Sequence, residues 1–138
     1  MKLHDFDLKF NMKAESMLNI TGNIQNEIDK IGAIDGFVVL FAKGSTAALT
    51  TIEYESGLVK DFNEMMEIVA PRGKDYAHHM KWHDDNGRSH LRSSLIGSSL
   101  TITITNGNLD VGAWQQIVII NFDTRDRERK IIGKIIYK

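Results

Sequence analysis

The sequence contains no cysteine and a single proline, Pro71, among its 138 residues. The lack of cysteine excludes disulfides, thiolate metal ligands and cysteine nucleophiles, and it fits a reducing compartment. No segment approaches the roughly 18–20 consecutive apolar residues that a membrane-spanning helix needs. Residues 1–7 carry charges where a signal peptide has its apolar core, so we expect a cytoplasmic protein with no membrane partner.

An excess of charge of either sign is also missing. The chain has 17 basic and 18 acidic residues and a formal net charge of -1, so its bulk charge does not indicate a nucleic-acid partner. Hydrophobic residues make up 42% of the chain, which is enough for a sizeable core. Because no repeat, linker or low-complexity tract interrupts it, residues 1–138 are expected to form a single domain.

The apolar pattern predicts mostly strands. Residues 37–41 form a run typical of a strand buried on both faces, and residues 117–120 form a second one. Residues 101–105 alternate strictly, and Asn106-Gly107 supplies the positive φ angles of a tight hairpin turn. These segments predict a mainly β fold with a few short helices (α+β), built as an antiparallel or mixed β-sandwich or barrel.

Four of the five histidines lie between residues 78 and 92, beside several carboxylates. A catalytic zinc site needs about three nitrogen or oxygen ligands and one open position. His78, Asp84 or Asp85, and His90 could supply them, although the spacing matches no His-Glu-x-x-His signature. The alternative is a solvated surface loop, and it is the preferred interpretation for the other two histidines, His79 and His83.

His90 belongs to a short segment with helical character. Ser89 is a candidate N-cap, so His90 would lie near a helix N-terminus, where free N–H groups and the positive end of the dipole favour an anion such as phosphate. Arg92 could add a bidentate clamp. An ordinary histidine on a capped surface helix is the competing interpretation.

A turn of small residues separates two predicted strands. Ser45 and Thr46 present hydroxyls and backbone amides there, although the segment is not a P-loop and a plain loop also explains it. Glu53 follows on the next strand, where its carboxylate could act as a base or ligand or could simply face water.

Several segments together resemble the YjbQ-like family, often labelled secondary thiamine-phosphate synthase. Residues 44–50 (GSTAALT) with Glu53 are similar to its HTSA…TINE segment, and residues 76–78 (YAH) to its YxH segment. Residues 86–100 (NGRSHLRSSLIGSSL) are similar to its N…HLKASLLGPSL segment. Residues 106–109 (NGNL) and 112–117 (GAWQQI) complete the resemblance in order along the chain.

The resemblance implies a β-sandwich of the YjbQ-like type, a homotrimer, and a polar pocket near the subunit boundaries. It implies a site around His78 and His90, with Glu53, Asn86 and Arg92 nearby, that holds a metal or a phosphate-like anion. The activity it implies is weak thiamine-phosphate synthesis, which joins a pyrimidine pyrophosphate to a thiazole phosphate.

One position departs from the family pattern. Gly44 stands where many members have histidine. If that histidine is a metal ligand in other members, the resemblance implies that Asp84 or Asp85 replaces it here.

The leading hypothesis is an enzyme acting on a phosphorylated small molecule. His78, His90 and Glu53 would be catalytic, and the binding residues would be Ser45, Thr46, Asn86 and Arg92. A divalent metal, zinc or magnesium, would be bound by His78, Asp84 and His90. The rivals are a non-catalytic metal- or phosphate-binding protein and a purely structural trimer with a vestigial pocket.

Overall fold

The computed structural model describes residues 1–138 except the Trp82 side chain. The described residues form eight strands and four helices. In chain order these are β1 (Lys2–Met12), β2 (Ser16–Asn19), α1 (Thr21–Ile31), β3 (Gly36–Lys43), β4 (Ala47–Ile52), α2 (Ser56–Val69), α3 (Ala77–Trp82), α4 (Gly87–Ile96), β5 (Ser99–Thr105), β6 (Asn108–Leu109), β7 (Gln116–Asn121) and β8 (Arg127–Tyr137).

The strands form two antiparallel sheets. The large sheet has the order β1-β8-β3-β5-β6, and the small sheet has the order β2-β7-β4. Every strand pair is antiparallel, which confirms the expectation of a mainly β sandwich with a few helices. None of the helices described is long and apolar enough to cross a membrane.

The main core lies between the two sheets. Leu40 and Ile135 of the large sheet pack in one buried cluster with Leu49 and Ile119 of the small sheet. The opposite face of the small sheet packs on α2, through a second cluster that contains Val118. Strand β7 is therefore buried on both faces, as its apolar run predicts.

Strand β3 does not follow the same prediction. Val38 and Leu40 are fully buried, whereas Val39 and Phe41 are 36% and 47% exposed. The expectation that residues 37–41 are buried on both faces is wrong, because only the inner face of the large sheet contacts the small sheet. An unbroken apolar run does not say how many layers cover a strand.

Two connections between the sheets lie at the same end of the sandwich. The last residue of β3, Lys43, pairs with Lys130 near the start of β8, while the first residue of β4, Ala47, pairs with Asn121 at the end of β7. The β3–β4 and β7–β8 connections therefore run side by side. Helix α4 is fixed to this end because the Ser93 hydroxyl donates a buried hydrogen bond to the Ala47 main-chain oxygen.

Candidate functional site

A cleft of about 490 Å³ opens where the two connections meet the start of α4. Residues 43–46 line it from the β3–β4 connection, and residues 127–130 from the start of β8. Asn86, His90 and Asp123 complete the wall, so the cleft combines polar groups from four separate parts of the chain.

Asp123 is the centre of the polar contacts in the cleft. It is 1% exposed and accepts hydrogen bonds from Thr46 Oγ1 at 3.2 Å, Asn86 Nδ2 at 3.4 Å and Arg127 Nε at 2.9 Å. Burial raises the pKa of Asp123, but the hydrogen bonds from Arg127 and Asn86 outweigh it and the net shift is downward. Asp123 is therefore an ionised carboxylate that ties both connections to the start of α4.

A group of three polar side chains lies next to the cleft. His78 Nδ1 is 2.9 Å from Asp84 Oδ1, and the centre of the His78 ring is 4.6 Å from that of His90. The Asp84 oxygen lies out of line with the ring N–H, so the buried Nδ1 atom has no hydrogen-bond partner among the described residues. His90 lines the cleft and His78 lies behind it, in contact with a carboxylate.

His79 fixes the geometry of this region. Its Nε2 accepts a hydrogen bond from the Gly87 main-chain N–H at 3.1 Å, and its ring contacts that of Tyr76 edge-on. A side chain at Gly87 would place its Cβ 2.8 Å from the Tyr76 Cβ, so only glycine allows this approach of α4 to α3. The expectation that His79 is incidental is wrong, because it holds the first residue of α4 in place.

Helix α4 begins earlier than the sequence predicts. Its first residue is Gly87 and its N-cap is Asn86, which makes no side-chain capping hydrogen bond. Ser89 is therefore inside the first turn and is fully buried, with no described hydrogen-bond partner for its hydroxyl. His90 consequently reaches the cleft from the fourth residue of the helix.

Asn86 lies between two carboxylates. In one orientation its amide nitrogen donates to Asp123, and in the reversed orientation it donates to Asp84 at 3.1 Å. Asn86 is 7% exposed, so in a shielded environment its amide nitrogen donates to one carboxylate or to the other, according to its orientation. Asp85 instead accepts a hydrogen bond from Thr124 Oγ1 at 3.0 Å, which leaves Asp84 as the carboxylate that contacts His78.

The structure brings together most of the residues singled out in the sequence. Ser45, Thr46, Asn86 and His90 line the cleft, and the His78–Asp84 pair lies beside His90.

Arg92 is not part of the cleft. It is 5% exposed, and its guanidinium donates to the Ala70 main-chain oxygen and to Glu67 Oε1 at the end of α2. The prediction that Arg92 binds a phosphate in the cleft is therefore wrong, because its side chain extends from α4 toward α2 instead of toward the cleft.

Glu53 is remote from the cleft within one chain. It follows the last residue of β4, whereas Thr46 precedes the first residue of that strand. At about 3.3 Å per residue, the seven steps between them span roughly 20 Å. A contribution of Glu53 to the same site would have to come from another copy of the chain.

The side chains around His78 can be compared with the metal site that the sequence predicts. Among the described residues, His78, His79 and Asp84 form a group whose candidate ligand atoms lie within 4.8 Å of one another. The unpartnered His78 Nδ1 and the adjacent Asp84 oxygen fit a shared divalent cation. His79 fits less well, because its Nε2 lone pair already accepts the Gly87 N–H.

Sequence reasoning missed five charged residues of the cleft, Asp123 and residues 127–130. Asp123, Arg127 and Arg129 lie in or just after a segment that reads as a charged surface turn, yet Asp123 and Arg129 are 1% and 5% exposed. The available signal was the position of Asp123 directly after the buried run of β7. A polar residue at that place lies where a core strand ends and a loop begins, and binding and catalytic residues are often found on such loops.

Comparisons with known proteins agree on one family. The family model described as UPF0047 protein YjbQ-like matches residues 6–138. A UPF0047 protein of Archaeoglobus fulgidus is 33% identical over 124 residues, which cover 90% of this chain and 94% of that protein. A UPF0047 protein of Methanocaldococcus jannaschii is 32% identical, covering 97% and 94% of the two chains.

Solved structures give the same result. A YbjQ-like protein of unknown function from Sulfolobus solfataricus superposes with a TM-score of 0.91 at 25% identity, covering 99% of each chain. A yjbq/upf0047 family protein from Clostridium acetobutylicum superposes with a TM-score of 0.86 at 32% identity, covering 95% of this chain and 99% of the other.

Proposed function

The chain belongs to the UPF0047 protein YjbQ-like family, and from its site we propose an enzyme that transfers protons to or from a phosphorylated small molecule. The observation that carries this proposal is the arrangement of His90 in the cleft with His78 and Asp84 behind it. Two adjacent histidines with a carboxylate beside one of them are suited to proton transfer, because the carboxylate stabilises positive charge on the imidazole rings.

The roles within the site follow from which groups face the cleft. His90 is the histidine that a bound molecule would contact, and the His78–Asp84 pair would stabilise the charge that forms on it. Asn86 holds the start of α4 against Asp123 and so positions His90. Ser45 and Thr46 lie on the opposite side of the cleft, where they would contact the phosphate end of the ligand.

The resemblance to thiamine-phosphate synthases suggests a specific reaction. In it, a pyrimidine pyrophosphate joins a thiazole phosphate and pyrophosphate leaves. His90 would donate a proton to the leaving pyrophosphate, as a general acid does.

The test compares thiamine-phosphate formation by the wild type and by His90→Ala. We expect a loss of about 100-fold or more, the usual contribution of general acid–base catalysis. His83→Asn is the matched control, because His83 is an exposed histidine with φ of 53°, a conformation that asparagine tolerates. Equal rates for wild type and His90→Ala would remove His90 from the mechanism.

Binding without turnover would favour the non-catalytic alternative. Calorimetric binding of a phosphorylated candidate with no product formed from it would identify a binding protein. The residues that contact the ligand would be the same, so the two functions are separated by turnover and not by affinity.

A divalent metal, zinc or magnesium, belongs to the same proposal. His78 and Asp84 would hold it, and it would supply a Lewis acid beside His90. Elemental analysis of the purified protein tests this, with the double variant His78→Ala, Asp84→Asn as the control. Stoichiometric metal in the wild type and none in the double variant would support the site, whereas the same metal content in both would contradict it.

A further inference from the structure

One buried cation in the cleft forms no ion pair with a described residue. Arg129 is 5% exposed, and its Nε and Nη2 atoms donate to Asn121 Oδ1 at 3.2 and 2.6 Å. Nη2 also donates to Thr46 Oγ1 at 2.5 Å. Both acceptors are neutral, so these bonds orient the guanidinium without neutralising it.

The carboxylate that acts on Arg129, that of Asp123, already forms an ion pair with another arginine. Asp123 accepts a hydrogen bond from Arg127 at 2.9 Å and forms an ion pair with it, whereas no described carboxylate forms an ion pair with Arg129. Burial lowers the pKa of Arg129, Asp123 opposes that shift, and Arg127 adds to it. A buried charge that forms no ion pair of its own is costly, and an anion bound in the cleft would supply that pair.

The remaining guanidinium nitrogen faces Gly44. A Cβ at Gly44 would lie 2.8 Å from Arg129 Nη1, and Gly44 has φ of +116°, which disfavours any other residue. Nη1 makes no hydrogen bond to a described residue, and both Gly44 and Arg129 line the cleft. The missing side chain at position 44 therefore keeps Nη1 open to a molecule in the cleft.

The surroundings of Nη1 are positively charged. Lys43, Arg127, Arg129 and Lys130 line the cleft, against the carboxylates of Asp123 and Glu128, an excess of two positive charges. Lys43 and Lys130 are directly opposite each other on β3 and β8, and Lys130 Nζ already forms an ion pair with Asp7 Oδ2 at 3.1 Å. Lys43 forms no ion pair with a described residue, so an anion in the cleft would neutralise its charge.

We infer that Arg129 Nη1, opened to the cleft by Gly44, is the anchor of a phosphate subsite whose ligand is a phosphate monoester or a pyrophosphate. Lys43 adds positive charge to the same cleft, and the Ser45 hydroxyl there can donate to the anion. The inference rests on the proposed function for the identity of the ligand class, and it replaces Arg92 with Arg129 as the group that binds phosphate. A multiply charged tetrahedral anion suits the subsite, because it can accept from several donors at once.

The experiment is titration calorimetry of the full chain with inorganic phosphate and with pyrophosphate. Wild type should bind pyrophosphate, and Arg129→Gln should bind it about 10- to 100-fold more weakly, as expected when a hydrogen bond to a charged group is lost. Arg125→Gln is the matched control, because Arg125 is an exposed residue between β7 and β8 that does not line the cleft. Its affinity should equal that of the wild type.

A second measurement uses the wild type alone, in case Arg129→Gln does not fold. The NMR signal of the Arg129 Nε–H, assigned with Arg129→Lys, should shift on addition of pyrophosphate. The inference is overturned if that signal does not move, if wild type binds neither anion, or if Arg125→Gln weakens binding as much as Arg129→Gln.

A third variant separates this inference from the proposed function. His90→Ala should lose turnover but weaken pyrophosphate binding less than Arg129→Gln does, because His90 offers the anion one hydrogen bond whereas Arg129 supplies the positive charge. If His90→Ala keeps full turnover while Arg129→Gln loses binding, the proposed catalytic role fails and the phosphate subsite stands.

Discussion

The guanidinium of Arg92 donates to the main-chain oxygen of Ala70 from both Nε and Nη2, at 3.0 and 2.7 Å. Ala70 is the C-cap residue of α2, so Arg92 satisfies a carbonyl at the end of that helix. The arginine that the sequence offers as a phosphate clamp therefore stabilises the junction between α4 and α2.

We expect Arg92→Ala to lower the free energy of unfolding by about 2–3 kcal/mol, because it leaves a buried carbonyl without its charged donor. Pyrophosphate binding should stay unchanged in the folded variant. Arg72→Ala is the matched control: Arg72 also contacts Glu67, but it is 61% exposed and should contribute at most about 1 kcal/mol. Urea unfolding and calorimetry measure both quantities, and a loss of affinity in folded Arg92→Ala would contradict the assignment.

The stability of the junction between α4 and α2 should depend on pH. The hydrogen bond from Arg92 lowers the pKa of Glu67 to about 2, with Arg72 acting in the same direction against the effect of burial. Because the pKa is lowered from its ordinary value of 4.5, the stabilisation is complete above pH 4.5 and is lost as the pH falls toward 2. The difference in unfolding free energy between wild type and Glu67→Gln should shrink over that range. A difference that stays constant down to pH 2 would contradict the prediction.

Gly87→Ala should disturb the start of α4. The new Cβ would lie 2.8 Å from the Tyr76 Cβ, so the helix must move away from α3, at a cost of about 1–3 kcal/mol. Turnover should fall as well, because Asn86 and His90 move with the helix. Gly22→Ala in α1 is the control, since nothing lies within 4 Å of its Cβ position. Thermal unfolding should show no comparable loss for Gly22→Ala.

Asp123→Asn should destabilise the end of the sandwich. The new amide nitrogen would face the Thr46 hydroxyl and the Arg127 guanidinium, which both donate to the Asp123 carboxylate in the wild type. Removing one partner of a buried ion pair costs roughly 3 kcal/mol. The control is Asp126→Asn in the same turn, whose partner Lys13 and whose own carboxylate are mostly exposed. We expect its effect on the unfolding free energy to be within about 1 kcal/mol. Equal stability losses in the two variants would show that burial of Asp123 does not matter.

The expected homotrimer gives a prediction for Glu53, which is roughly 20 Å along β4 from the Thr46 end of the cleft. If Glu53 acts in the cleft of a neighbouring copy, Glu53→Gln and His90→Ala should each be inactive alone. Trimers reassembled from equal amounts of both should regain about a quarter of the sites, because each site then draws its two residues independently from two chains. Turnover of the mixture measures this. No recovery would contradict a contribution from a neighbouring copy, and full activity of Glu53→Gln alone would place Glu53 outside the site.

Much of the fold was predictable from local patterns. The turn at Asn106 and Gly107 has φ angles of 51° and 78°, as its sequence predicts, and β7 is buried on both faces as its run of four apolar residues indicates. Strand β3 has a similar run but exposes Val39 and Phe41, because the number of layers over a strand depends on where the other sheet packs.

The candidate site was predicted in part. His78 and His90 lie close together because α3 and α4 are neighbours in the chain and pack on each other through Gly87. The partner of Asp123 could not be predicted, because Thr46 lies 77 residues away and reaches it only when the two connections run side by side. The sequence pointed to Arg92 as the anion-binding residue and not to Arg129, because the direction of an arginine side chain cannot be predicted from local pattern.

The sequence by itself determined that this is a mainly β domain of the YjbQ-like family and that its histidine-rich segment carries the candidate chemistry. Short-range periodicity and turn residues encode the strands, since they act between residues close in the chain, whereas the family followed from the resemblance of several motifs. Only the tertiary structure decided that Arg92 caps α2, that Glu53 is remote from the cleft and that Arg129 faces Gly44. These outcomes depend on the burial and direction of side chains, which are set by strand register and sheet packing between distant segments.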